Sequence, residues 1–286
     1  MKLVSYILGG REAWGAVVGD DVLDLATPSG CATLADFIGS PRWAERDALL
    51  RGAKAVAKFA AVTLLPPIPK PEKIVCAVRN YMDHHQEVLA AGMHRELSEQ
   101  PPIFLRVWRS QTAHGAPIVR PKVSESLDWE GELAVIIGTA GRDIPEDKAY
   151  DHVAGYSVYN DGSVREWQFH AKQIASGKNF ESTGGFGPWM VSADEIAPGR
   201  ALKLETRLNG EVVQSSHTGH MIFNIPRLIA YASTIFTLVP GDVIVTGTPA
   251  GVGWSRKPPR FMKAGDVCEV EIEAVGLLRN PIVDQA

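Results

Sequence analysis

Three carboxylates are the residues best placed to do chemistry. Glu130 and Glu132 stand two apart at the head of the apolar run 133–137, and Asp161 closes the apolar run 153–160. On a strand, residues two apart share a face, so the two glutamates project side by side. Neighbouring carboxylates repel, and unless a cation lies between them one protonates or turns to solvent. Strand ends are where side chains converge on a pocket, so Asp161 can complete a three-carboxylate set with no Cys or His beside it. An oxygen-only set suits Mg, Mn or Ca better than zinc or copper. The spacing alone leaves a second reading open, in which the glutamates are solvated at the frayed start of a strand. His84 and Glu87 form another pair. They are three apart in the stretch 80–92, which reads as a short helix and puts both on one face. A carboxylate that fixes the imidazole tautomer leaves the other ring nitrogen as a general base near neutral pH. The competing reading, with His85 adjacent, is an ordinary surface histidine.

The elements that must carry these residues can be read from the apolar pattern. Runs 2–8, 13–18 and 21–25, separated by Gly9-Gly10 and Gly19-Asp20-Asp21, look like consecutive β-hairpins. Stretches 31–39, 41–51 and 53–61 have helical spacing, with Pro41 placed to start a helix. The proline-rich run LPPIPKPEK, with Pro66, Pro67, Pro69 and Pro71, then forces extended backbone. This reads as a small N-terminal α+β domain, 1–70, followed by a larger domain, 71–286. The second part contains short Val/Ile/Leu runs at 74–78, 103–107, 133–137, 153–159, 202–208, 243–246 and 267–273, with turn signals such as Asn209-Gly210 and Gly265-Asp266. Few long helices interrupt them. The class is α+β and β-rich, a sandwich or closed roll rather than a doubly wound parallel sheet. The polar stretch 82–100 fits either a lid over a site or a permanently packed helix.

Composition removes several functions. With 286 residues, 45% hydrophobic and 22% charged, the chain matches ordinary globular domains. Its net charge of -4 argues against the basic surface that nucleic acid requires. No apolar run approaches the roughly 20 residues that span a bilayer. Cys31, Cys76 and Cys268 are odd in number and far apart, fitting neither a disulfide framework nor a zinc site, so reduced thiols and a cytoplasmic location are expected. The glycine-rich segments 184–187 and 247–253 match no phosphate-binding loop.

Several motifs together resemble the fumarylacetoacetate hydrolase family. They are Asp128-x-Glu130-x-Glu132 with its apolar strand, Asn160-Asp161-x-Ser163-x-Arg165-x-x-Gln168, Gly177-Lys178-x-Phe180, and Pro240-Gly241-Asp242 with Thr246-Gly247-Thr248-Pro249-x-Gly251. The likeness covers about residues 72 to 283. It implies a mixed β-sandwich roll, a Mg, Mn or Ca ion on Glu130, Glu132 and Asp161, and a homodimer. It also implies that Arg165, Gln168 and Lys178 hold the carboxylate and keto oxygens of a small keto acid, that Thr248 contacts it, and that His84 and Glu87 activate water. Two positions depart from the family pattern. Arg79-Asn80 stand where some members supply a fourth, aspartate ligand, and Arg106 stands where a lysine is usual.

The reaction the resemblance implies is hydrolysis of a carbon–carbon bond in an acylpyruvate-like 2,4-diketo acid, giving pyruvate and a carboxylic acid. A divalent Lewis acid favours it, while Lys178 and Arg165 offset the surplus negative charge of three carboxylates. Decarboxylation of an oxaloacetate-like acid, or isomerisation of a hydroxymuconate-like acid, would use the same metal site.

Overall fold

The computed structural model describes residues 1–92 and 96–286. Its backbone is dominated by a 12-stranded sheet packed on a five-stranded one. The larger sheet runs, edge to edge, through Ala55–Lys58, Asp21–Asp24, Arg11–Val18, Lys2–Leu8, Gly184–Ser192, Val153–Asn160, Gly131–Ile137, Val243–Val245, Ile74–Ala77 and Ile103–Arg106. The smaller runs through Glu211–His217, Lys203–Leu208, Val267–Ile272, Gly276–Asp284 and Ile118–Arg120. This is the β-rich α+β roll expected from the pattern.

Why the strand Gly131–Ile137 lacks alternation is now plain. One face, with Leu133, Val135 and Ile137, packs toward the smaller sheet against Leu204, Val270 and Ile272. The other face, with Ala134 and Ile136, packs with Trp14, Phe37 and Val245 beneath the N-terminal helices. A strand covered on both faces reads as one continuous apolar run. The turn at Asn209-Gly210 has φ of 53° and 82°, the left-handed pair that a two-residue hairpin turn needs.

One expectation needs correction. The stretch 53–61 is not a helix: Ala55–Lys58 is an edge strand paired with Asp21–Asp24, followed by the 3-10 turn Phe59–Ala61. Sheet pairing overrides the helix propensity of its alanines. The proline run is irregular, as its prolines require, and packs onto the fold: Pro67, Ile68 and Pro71 are buried and Ser5 Oγ donates to the Pro67 carbonyl at 2.7 Å. Strands Gly184–Ser192, Glu211–His217 and Gly276–Asp284 carry Gly, Pro or polar residues and did not stand out as apolar runs. The first of them joins the N-terminal hairpin to the rest, pairing Lys2 with Val191 and Leu3 with Met190.

Candidate metal centre and its cleft

Strand pairing assembles the acids. Gly131 lies opposite Asn160 in the antiparallel pair, so the entry to one strand and the exit of its neighbour meet at the same end of the sheet. Asp161 N donates to the Glu130 carbonyl at 2.8 Å, and Glu130 N donates to Asn160 Oδ1 at 2.9 Å, which locks the two segments together. Glu130, Glu132 and Asp161 are 6%, 1% and 1% exposed, and one carboxylate oxygen from each lies within 4.8 Å of the others. Burial excludes the reading of solvated glutamates at a frayed strand start.

Three cations surround them. Lys178 Nζ donates to Glu130 Oε2 at 2.6 Å and to Asp161 Oδ2 at 2.7 Å. Arg165 Nη1 bonds Glu130 Oε1 at 2.7 Å while its Nε donates to Asp128 Oδ2 at 2.8 Å. Arg106, fully buried, donates from Nη1 to Asp161 Oδ1 and from Nη2 to Thr183 Oγ1 at 2.9 Å. These neighbours divide the acids electrostatically. Burial pushes the Glu130 carboxyl up, but Lys178 and Arg165 outweigh it and hold it at about 2. Burial, together with the charges of Asp161 and Glu130, pushes Glu132 well above the carboxylate range despite the hydrogen bond donated by Gly247 N. A buried carboxyl held up by two carboxylate neighbours is one that a divalent cation would keep ionised. The all-oxygen donor set therefore fits Mg, Mn or Ca. Gly247 reaches Glu132 at φ 94°, where a Cβ would meet Asn80 Cβ at 2.6 Å, so this position requires glycine.

The carboxylates form the floor of a cleft of about 340 Å³, whose lining includes His84, Arg165, Gln168, Lys178 and Thr248. Gln168 Oε1 accepts from Arg165 Nη1 at 3.0 Å. Thr248 Oγ1 donates to the Gly131 carbonyl at 3.0 Å and accepts from Gln214 Nε2 at 2.8 Å. All the residues singled out in the sequence thus converge here, with Glu87 just behind His84.

Helix Met82–Ala90 supplies that pair. His84 Nδ1 lies 2.8 Å from Glu87 Oε2, and Glu87 Oε1 accepts from Gly251 N at 2.9 Å and Ser255 Oγ at 2.6 Å. Burial raises the Glu87 carboxyl, but the hydrogen bonds from His84, Ser255 and Gly251 prevail and hold it below its ordinary value. An ionised Glu87 fixes the proton on Nδ1 and leaves Nε2 basic. Of the expected lid, 82–100, residues 93–95 lie outside the described residues, and the described helix is tied to the loop 247–256 through Glu87.

Sequence reasoning missed several supports. Asp128 is fully buried and accepts from Trp129 N, Gly253 N and Trp254 N besides Arg165, so it anchors the cleft wall to the guanidinium. Its place two residues before Glu130 was the available signal. Asn80 spends its amide on Phe223 and Thr246 backbone, so it does not take a ligand's place. Ser255 and Gln214 had no local signal.

Residues 73–283 match the fumarylacetoacetate (FAA) hydrolase C-terminal family. The chain belongs to the fumarylacetoacetate hydrolase family. Its relatives there include an oxaloacetate tautomerase, mitochondrial in name, from Xenopus laevis, 40% identical over 271 residues that cover 93% of this chain and 83% of that protein. Among solved structures, the fumarylacetoacetate hydrolase of the psychrophile Exiguobacterium antarcticum is similar at TM-score 0.86 and 35% identity, with 100% of each chain covered. A maleylpyruvate hydrolase from Sphingobium sp. SYK-6, solved with manganese(II) and pyruvate, is similar at TM-score 0.81 and 29% identity, again over 100% of each chain. The fumarylacetoacetate hydrolase family is one of metal-dependent enzymes acting on small molecules, and the fold and buried acidic triad of this chain accord with that membership. Among the described residues no helix is long and apolar enough to cross a membrane.

Proposed function

We propose that this protein interconverts the keto and enol forms of an oxaloacetate-type 2-keto acid, using a divalent cation, Mg, Mn or Ca, held by Glu130, Glu132 and Asp161. The observation that carries the proposal is the His84–Glu87 pair on the wall of the cleft whose floor is the acidic triad. The relative at 40% identity is named for that reaction.

The bound cation would supply Lewis acidity to the 2-keto end of the substrate. Arg165, Gln168 and Lys178 bind and orient that end, and Thr248 bounds it. His84 Nε2 takes the proton from C3, a proton returns to the 2-keto oxygen, and the enol results; the reverse order gives the keto form. Glu87 holds the imidazole in the tautomer that can accept. The cationic side chain of Lys178 favours negative charge developing on the keto oxygen. Activity is tested by following the decay of freshly dissolved enol-oxaloacetate with Mg and with EDTA. A wild-type rate equal to the uncatalysed one with Mg or Mn present contradicts the proposal.

A second reading is hydrolysis of an acylpyruvate, in which His84 Nε2 deprotonates water for attack at C4. The likeness to a maleylpyruvate hydrolase solved with pyruvate favours it. Pyruvate release from a panel of acylpyruvates, against oxaloacetate decarboxylation and tautomerisation, separates these readings. We further propose a homodimer, tested by light scattering at micromolar concentration, and a cytoplasmic enzyme, supported by three free thiols, two of them buried. The division into domains 1–70 and 71–286 is proposed alongside, supported by a family match that starts at residue 73.

A further inference from the structure

The charges around the cleft do not balance for every substrate. At its floor and just beneath it four buried carboxylates, Asp128, Glu130, Glu132 and Asp161, face three paired cations, Arg106, Arg165 and Lys178. Counted with all four ionised, as a bound divalent cation would keep them, one negative charge is in excess. A divalent cation would turn this into one positive charge in excess, which the 1-carboxylate of a 2-keto acid cancels. A substrate with a second carboxylate would then bring an uncompensated anion into a small cleft, where unpaired charge is costly.

Two other cations line the same cleft, Arg79 and Lys172. Lys172 lies toward solvent, at the opposite extreme of burial from Lys178, and its ammonium makes no ion pair or hydrogen bond among the described residues. It stands in the cleft wall with Phe169, which is 43% exposed and packs its ring 5.5 Å from that of Trp254. The arrangement runs from a floor of buried carboxylates hydrogen-bonded to cations and a backbone amide, past aromatic walls, to an uncommitted cation at the mouth.

We propose that Lys172 is a specificity-determining residue that binds the distal carboxylate of a dicarboxylic 2-keto acid, so that the site prefers dicarboxylates to monocarboxylates of equal length. The proposal rests on the keto-acid reading of the cleft but not on which reaction follows. Lysine suits the role because a flexible point charge at a partly open mouth can follow distal groups at different distances.

The test is titration calorimetry of the full chain loaded with Mn, using 2-oxoglutarate and 2-oxovalerate, which match in length and differ in the distal carboxylate. Wild type should bind 2-oxoglutarate more tightly. Lys172→Met should weaken 2-oxoglutarate about tenfold, the scale of one lost charge-assisted hydrogen bond, and leave 2-oxovalerate within about twofold. Lys172→Glu should weaken 2-oxoglutarate further, and Lys172→Arg should restore most of the preference. Equal binding of the two acids by wild type, or equal weakening of both by Lys172→Met, overturns the proposal. Failure of the functional reading looks different. A wild type that prefers 2-oxoglutarate through Lys172 yet does not speed enol-oxaloacetate decay would reject tautomerisation and support the role of Lys172.

Discussion

The floor and the wall of the cleft are built by opposite means. The floor is set by a pair of hydrogen-bonded strands, and each of its acids is buried and held by cations or backbone amides. The wall that carries His84 is a single helix, Met82–Ala90, tied to its surroundings at Glu87 by Gly251 and Ser255. Strand geometry fixes charge, which suits the holding of a cation and an acid anion. A helix anchored by a few hydrogen bonds can present a base and still shift when substrate enters. Binding and proton transfer should therefore be separable by mutation.

Glu132→Gln should have the largest effect on the floor, because it removes one of the three proposed anionic ligands. Both Mn affinity and activity should fall beyond the about 10- to 100-fold loss typical of groups that only support a ligand. Retained Mn binding, read by calorimetry, would remove Glu132 from the site. Asp128→Asn should come next. It removes one of the two carboxylates, the other being Glu130, that pair the buried Arg165 guanidinium, and breaking a buried ion pair typically costs about 3 kcal/mol or more. The urea midpoint of the metal-free protein should drop, and wild-type stability would contradict the anchoring role. Ser255→Ala should weaken only the wall, lowering kcat by about tenfold through a less firmly held Glu87 while Mn affinity stays unchanged. Equal losses in both would merge the two regions.

The smallest effect is on acid stability. The folded Glu87 carboxyl lies below its ordinary value of about 4.3. Its contribution is fully present above that ordinary value and fades as pH falls through the lowered one. Glu87→Gln should thus unfold with a shallower pH dependence below about pH 4 than wild type does. Identical slopes would show that Glu87 is no better held folded than unfolded.

What could be read beforehand follows from how far apart the partners lie in sequence. Glu130 and Glu132 announced themselves through two-residue spacing, and His84 with Glu87 through one helical turn. The remaining supports are made by distant pairs: Arg106 meets Asp161 across 55 positions, and Ser255 meets Glu87 across 168. No local pattern encodes those contacts. Arg106 was visible only as a departure from the family lysine, and in the structure its guanidinium donates to Ser110, Asp161, Gly162 and Thr183, beneath the acidic triad rather than in the cleft lining. The fold was legible where strands were apolar on both faces, as at 133–137. It was obscured where alanine-rich sequence pairs at a sheet edge, as in Ala55–Lys58, and where glycine and proline dilute a strand, as in Gly184–Ser192.

The separation of binding from proton transfer is tested most directly by His84→Ala, with Mn affinity and enol-oxaloacetate decay measured on the same preparation. An Mn dissociation constant within about twofold of wild type is expected, with a kcat lower by about 10²-fold or more, the usual scale of a lost general base. A variant with wild-type kcat, or one whose Mn affinity falls in step with its activity, would contradict it.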